Sequence, residues 1–440
     1  MSVTARSTIE RGPMHLRQWI AVALTIALNA LDGFDVLSSA FAGPGIKAEW
    51  QLGPGGLGVV LSMELLGMGV GSILLDGVAD RYGRRPTALM CLVVMALGMI
   101  LATTAQSPAS LSAWRLLTGI GIGGMLASTN ALVRELSNVK WRSVATSLMV
   151  IGYPLGAFGG GLVARELLKG GDWRLVFEFG AIMTCIAIPL VALFVPETPE
   201  FLDQARPANA LVRINTVLRR FALPPLAEFG PRPASFEKAS LGAIFKPGLL
   251  RATLALSLGY TCHALTFYFV LKMAPVIISD PQYAGQHFTP GQGAGVLAYA
   301  NLGGAIGGAS FGWFMHRFGI KRATIAALFL SSLAVAWFGT GETTLGGWTI
   351  AVFVVGLFTN AAICGFYSAF AAAFPTHARA TGTGFAIGIG RAGSALSPIL
   401  SGVLFGAGVG LQQVALVMAL GSLLSIAMIL PLRLDERAAE

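Results

Sequence analysis

Five ionisable side chains stand inside stretches that are otherwise apolar: Asp32, Asp35, Glu64, Arg115 and Arg391. Asp32 and Asp35 are three residues apart in LDGFDV, so in a helix they share a face. Two carboxylates this close disfavour double ionisation, which is chemistry for taking up and releasing a proton. Arg391 offers the paired, parallel donors that match a carboxylate, and it reads as the site for an organic anion or as a standing salt-bridge partner of Asp32 or Asp35. It is read as the only cation near the middle of the second half. Arg115 either relays charge to the aspartates or ties two helices together. Glu64 is a further proton site or a polar group between helices.

Aromatic and amide side chains supply the rest of a candidate binding surface. Tyr260, His263 and Phe267 recur at spacings of three and four, which would line one helical face against a bound ring, with His263 able to donate to a phenol or a carboxylate. Phe34, between the two aspartates, is grouped with them. Tyr153, Asn301, Asn360 and Tyr367 are polar handles that either contact a ligand or bond between helices.

The elements that must carry these residues follow from composition. Of 440 residues, 55% are hydrophobic and 12% charged, and the mean hydropathy is +0.71. Charge usage in soluble domains is about twice this, so the chain reads as a polytopic α-helical membrane protein. Twelve spans are expected, at 18–41, 54–77, 86–106, 109–134, 142–167, 173–195, 249–278, 289–315, 321–340, 345–373, 378–405 and 409–431. The polar stretch between the sixth and seventh divides them into a first bundle (1–195), a linker (196–248) and a second bundle (249–440). Within the linker, ALVRINTVLRRFAL has the spacing of an amphipathic helix, lying at the membrane surface or in solvent.

The net charge of +9 raises nucleic-acid binding as a class, and the placement of the charge excludes it. Arg81, Arg84, Arg85, Arg134, Lys140, Arg142, Arg317, Lys321, Arg322 and Arg379 fall in short loops on the side of the termini, joined by Arg206, Arg213, Arg219, Arg220, Arg232, Lys238 and Lys246 of the linker. The positive-inside rule then places both termini in the cytoplasm, with the first helix retained, and a bacterial inner membrane is the expected location. The four cysteines show no metal-ligand or disulfide spacing, and neither metal nor cofactor is expected. GIGIGG (119–124) and GASFG (308–312) match nucleotide-binding and hydrolase strings, but both lie inside spans without the strand-to-helix turn such sites need, so no enzyme is expected.

One signature occurs twice. GVADRYGRR (77–85) and GWFMHRFGIKR (312–322) repeat the Asp80-Arg81-x-Gly83 core as His316-Arg317-x-Gly319, 236 residues later, and Gly67 and Gly71 match Gly303 and Gly307 at the same offset. Two homologous halves are typical of secondary transporters. With this loop, DGVADRYGRR, the chain resembles the major facilitator superfamily, although Asp76 stands where that pattern has glycine. RLLTGIGIGG in the fourth span, VPETPEFL after the sixth and RATGTGFAIGIGRAGSALSP in the eleventh extend the likeness along most of the chain. LDGFDV and GIGRAG are similar to the aromatic acid:proton symporters within it.

That resemblance implies two pseudo-symmetric six-helix bundles rocking about a central site. The implied activity is import of a small aromatic carboxylate with a proton, the bilayer being the only other partner and the working unit a monomer. Nicotinate-like anions and proton-antiport drug efflux are the alternatives. Asp80, Arg81, Arg84 and Arg85, with Glu135, Arg142, His316 and Arg317, are expected to form gating loops on the side of the termini.

Overall fold

The computed structural model describes residues 4–229, 241–284, 288–375, 378–432 and 434, without the side chains of Asp76, Leu241, Ala284 and Ala380. Arg232 and Lys238 of the basic linker, and the Asp76 side chain, therefore lie outside the described residues.

The described residues form twelve long helices: α1 (Leu16–Trp50), α2 (Pro54–Tyr82), α3 (Arg84–Thr103), α4 (Pro108–Leu136), α5 (Val139–Leu167), α6 (Arg174–Phe194), α7 (Pro247–Ser279), α8 (Pro290–Phe318), α9 (Ile320–Phe338), α10 (Leu345–Ala373), α11 (Arg379–Gly406) and α12 (Leu411–Ile429). Eleven are long and apolar enough to cross a membrane. The exception, α8, is 29 residues long but rich in glycine, which adds packing surface and little hydropathy. Helix starts are set locally, by Pro in the first turn and a side-chain cap: Ser107 caps α4 and Thr289 caps α8, each in a reciprocal capping box.

The helices assemble as two similar groups. In the first, α2 packs on α4, α1 on α5, and α3 on α4 and α6; in the second, α8 packs on α10, α7 on α11 and α12, and α9 on α10 and α12. The repeated glycines explain the closest of these crossings. A Cβ on Gly67 would meet the Leu116 carbonyl of α4, and one on Gly303 would meet the Phe353 carbonyl of α10, so the equivalent helices approach backbone to backbone in both halves.

The first helix runs nine residues beyond the expected Phe41, through Gly43, Pro44 and Gly45 to Trp50. Its extension is held by packing: Gly45 lies against Trp173 and Gly43 against Val276, while Glu49 accepts both guanidinium nitrogens of Arg174 at 2.6 and 2.7 Å. Tertiary contact here overrides the helix-breaking tendency of the Gly-Pro-Gly run.

In the linker, the amphipathic segment forms the helix Ala210–Arg220, but its apolar face is turned onto protein. Ile214, Val217 and Leu218 pack with Phe201, Leu202 and Leu223, and with Ile9 of a short N-terminal helix, Ala5–Arg11. Its apolar face is thus covered by protein, while Arg213, Arg219 and Arg220 stay exposed.

Contacts between the halves concentrate on the side away from the termini. There Gly58 of α2 meets Pro398 of α11, Gly402 meets Pro54, Gly161 of α5 meets Ala298 of α8, Gly43 meets Val276, and Lys47 pairs with Asp280. At mid-depth α2 and α11 still touch, through Gly69 and Arg391. Closer to the termini, space is open around Gly77, Gly384 and Gly388. The two halves thus form a wedge, shut on the far side and open on the side of the termini.

Candidate functional site

At the inner end of the wedge α11 presents Arg391, half-buried, with no ion pair among the described residues. Among the described residues its hydrogen-bond contact is a long 3.8 Å approach to Met68 Sδ across the interface, and thioether sulfur is a weak acceptor. Four phenols lie within electrostatic range: Tyr153 from α5, Tyr260 and Tyr268 from α7, and Tyr367 from α10. The Tyr260 and Tyr367 hydroxyls are 3.5 Å apart, and Tyr367 is 43% exposed although it stands within a spanning helix. Asp32 of α1 is also within the field of Arg391, without a direct bridge, and its Oδ1 has no hydrogen-bond partner. A guanidinium lacking a counter-ion and rimmed by rings and hydroxyls is suited to a flat organic anion.

Asp35 faces elsewhere. Successive positions three apart differ by about 60° around a helix, enough to give the two aspartates different neighbours. Asp35 is wholly buried in the first half, where a Cβ on Gly180 of α6 would stand 3.1 Å from its Oδ1, and neither carboxylate oxygen has a hydrogen-bond partner. An ionised carboxylate buried without donors is heavily penalised, and a proton removes the penalty.

Arg115 is also fully buried, with both terminal nitrogens engaged and Nε without a hydrogen-bond partner. Its Nη2 is 2.5 Å from Glu64 Oε2 and donates to the Asp35 backbone carbonyl at 2.8 Å; Nη1 approaches Met99 Sδ at 3.0 Å, and the guanidinium lies 5.1 Å from the Phe177 ring centroid. It therefore binds the main chain of the aspartate helix and a carboxylate of α2. Glu64 Oε2 accepts from Ser39 Oγ at 3.0 Å as well.

A second buried cation joins this cluster, from the second half but nearer the end of its helix than Arg391 is. Lys272 of α7 is wholly buried, donates to the Val36 carbonyl of α1 and lies 3.4 Å from Glu64 Oε2. Its sequence signal, a lysine in FVLKMAP, sits close enough to the span's end to read as a snorkelling side chain.

Several expected ligand contacts are turned into the bundles instead. His263 has both ring nitrogens engaged, Nδ1 with Ser422 Oγ at 2.9 Å and Nε2 with the Thr359 carbonyl at 3.0 Å, and its ring stacks on Phe366 at 6.0 Å. Phe34 packs edge-on against Phe179 at 5.2 Å, and Phe267 is in the core of the shut side. Asn301 donates to Leu297 O of its own helix, and Asn360 donates to Gly304 O at 2.6 Å, linking α10 to α8. Of the face comprising Tyr260, His263 and Phe267, only Tyr260 reaches the wedge. Its neighbour there is Tyr268, one residue outside the 3–4 spacing followed in the sequence, which is why periodicity missed it.

The loop residues fall into an unequal pair. Arg84 bonds Asp80 Oδ1 at 2.6 Å and Glu135 Oε1 at 3.3 Å; Glu197 Oε1 accepts the main-chain N–H of Arg84, Arg85 and Thr198; and Arg85 donates to Ala192 O. Burial pushes the Glu197 carboxyl above the ordinary carboxylate value, against the pull of those three N–H donors. Arg142 bonds Glu10 at 2.9 Å and the Arg134 carbonyl at 3.1 Å, and Arg81 lies over Tyr82. This network braces the first half. In the second copy, His316 and Arg317 are exposed and form no ion pair among the described residues.

A family model described as Major Facilitator Superfamily matches residues 22–386. The gallate transporter of Pseudomonas putida is 26% identical over 411 residues, covering 93% of this chain and 90% of that protein, and the 4-hydroxybenzoate transporter PcaK of the same organism is 26% identical over 421 residues, covering 94% and 92%. The niacin transporter NiaP of Acinetobacter baylyi is 25% identical over 414 residues, covering 92% and 91%. Among solved structures, the nucleoside transporter NupG in its D323A form matches with a TM-score of 0.70 at 16% identity, over 94% of this chain and all of that one, a likeness of fold. With its repeated loop signature, two six-helix groups and a model match across most of its length, the chain belongs to the Major Facilitator Superfamily.

Proposed function

We propose that the protein imports a small aromatic carboxylate together with a proton, by alternating access, with both termini in the cytoplasm and the wedge open inward in this structure. The observation that carries this reading is Arg391: a half-buried guanidinium without a counter-ion, surrounded by Tyr153, Tyr260, Tyr268 and Tyr367 at the narrow end of the wedge. A carboxylate would take the paired donors, while the phenols offer ring faces to an aromatic body and hydroxyls to its polar substituents. The relatives named for gallate, 4-hydroxybenzoate and niacin support the class, all three being ring acids.

Coupling to protons belongs to Asp35 and Asp32. A proton on Asp35 relieves a buried charge that has no donor, and Asp32 lies in the field of Arg391, so occupancy of the anion site and protonation of the carboxylates influence each other electrostatically. Coupling matters energetically, since an anion entering against an inside-negative potential is opposed by about 2.3 kcal/mol per 100 mV. Efflux of cationic drugs is disfavoured by an uncompensated Arg391 at the centre.

Uptake into proteoliposomes tests the reading. A labelled hydroxybenzoate should accumulate when the outside is made acidic and should not when the gradient is reversed. Accumulation stimulated only by the reversed gradient would overturn symport.

A further inference from the structure

Lys272 has no role in the anion site, yet it is the one ammonium that the second half buries against the first among the described residues. Burying such a group is costly without a counter-charge, and its counter-charge is borrowed: the Val36 carbonyl and Glu64 Oε2 both belong to the other half. The same Glu64 oxygen already holds Arg115 of its own half, so one carboxylate oxygen serves cations from both halves. Arg115 is fixed by further contacts with Asp35 O, Met99 and Phe177. Lys272 is therefore the cation that can leave.

The charges acting on Lys272 are Glu64 and Arg115, and those acting on Asp35 are Arg115, Asp32 and Glu64, which makes Asp35, Glu64, Arg115 and Lys272 one connected group. With Asp35 ionised, two cations face two anions, and Asp32 beside Arg391 adds one charge of each sign. With Asp35 protonated, two cations face one. Lys272 lies in the last two turns of α7, with Val276 one turn farther along at the shut contact with Gly43 and Asp280 beyond it, so any opening on that side must pull Lys272 off Glu64.

We propose that Lys272 is a latch between the halves: its ammonium on Glu64 holds the side away from the termini shut, and a proton on Asp35 leaves the cluster one positive charge in excess, releasing Lys272 so that this side opens. The latch makes Lys272 a positioning residue for the proton-coupled cycle and rests on the alternating-access reading above, though not on which acid is carried.

Thiol accessibility at Val276→Cys tests it. This position is buried at the shut contact, and a membrane-impermeant thiol reagent is applied from the side opposite the termini at one fixed pH, with the chain lacking Val276→Cys as background. Lys272→Met should raise the labelling rate on the order of tenfold, within the usual span of coupling between conformational sites. Asp35→Asn, which fixes the neutral form, should raise it similarly, and the double variant should add little. Lys272→Arg, which keeps the charge on Glu64, should stay slow. Lys272→Gln retains a donor for Val36 O, guards against a packing defect, and should be fast. Unchanged labelling in both Lys272→Met and Lys272→Gln, or fast labelling in Lys272→Arg, would overturn the latch. No substrate is added, so a wrong assignment of the transported acid leaves the readout intact.

Discussion

Arg115 and Arg391 are the same side chain placed in two kinds of surroundings. Arg115 has a carboxylate, a main-chain carbonyl, a thioether and an aromatic face around it, all inside the first half. Arg391 has a distant thioether, four phenols and an opening toward the termini. An arginine whose two terminal nitrogens are both engaged holds helices and sets local charge, whereas one left with its terminal nitrogens unspent at an opening is poised for a ligand. Arg115 is fully buried and Arg391 half-buried, and what their terminal nitrogens bond separates them further.

The comparison breaks most visibly at Arg115. Arg115→Leu strands Glu64 with a reduced set of partners, and removing one member of a buried pair typically costs about 3–5 kcal/mol. The purified variant should show a markedly lower thermal midpoint, while Arg391→Leu should melt at or above the wild-type temperature because it removes a half-buried charge that has no direct ion pair among the described residues. Equal loss in both variants would erase the distinction.

Asp35→Asn comes next. Gradient-driven accumulation of a labelled hydroxybenzoate should disappear, while exchange of external for internal substrate persists, because the neutral amide mimics the protonated acid and cannot release a proton. Retained accumulation would move coupling to Asp32 or Glu64.

Tyr268→Phe should have a smaller effect, raising the KM for a hydroxylated ring acid several-fold, in line with about 0.5–1.5 kcal/mol for one hydrogen bond. The same change should barely alter KM for unsubstituted benzoate. His263→Gln should alter neither KM, since both its ring nitrogens are spent within the second half.

Much of this arrangement was legible in the sequence because lipid makes patterns strict. A spanning segment must satisfy its own backbone, so twelve apolar stretches read as twelve helices, and Gly67 and Gly303 marked matching crossings from their 236-residue offset. The charges inside those stretches were also visible, since an ionisable group in an apolar span needs a reason. What spacing does not carry is the direction each side chain faces once helices cross. His263 shares a face with Tyr260 on paper, yet α7 lies between the wedge and α12, and the histidine meets Ser422 on the far side. Lys272 was hidden by its closeness to a helix end, where a lysine ordinarily reaches for water; here it is turned onto the Val36 carbonyl of α1 and Glu64 of α2. The short helix Ala5–Arg11 was hidden because its stability comes from docking on the linker helices and too little from its own seven residues.

The most direct test compares ligand-induced stabilisation of purified wild-type protein and Arg391→Lys against a panel of benzoate, hydroxybenzoates and nicotinate. A ligand at about 100 times its Kd stabilises a protein by about 2.7 kcal/mol, so at least one ring carboxylate should raise the wild-type thermal midpoint by a few degrees. Arg391→Lys keeps the charge and loses the paired donors, and its midpoint should not respond at the same concentration. A wild-type shift in Arg391→Lys would show that the anion binds elsewhere.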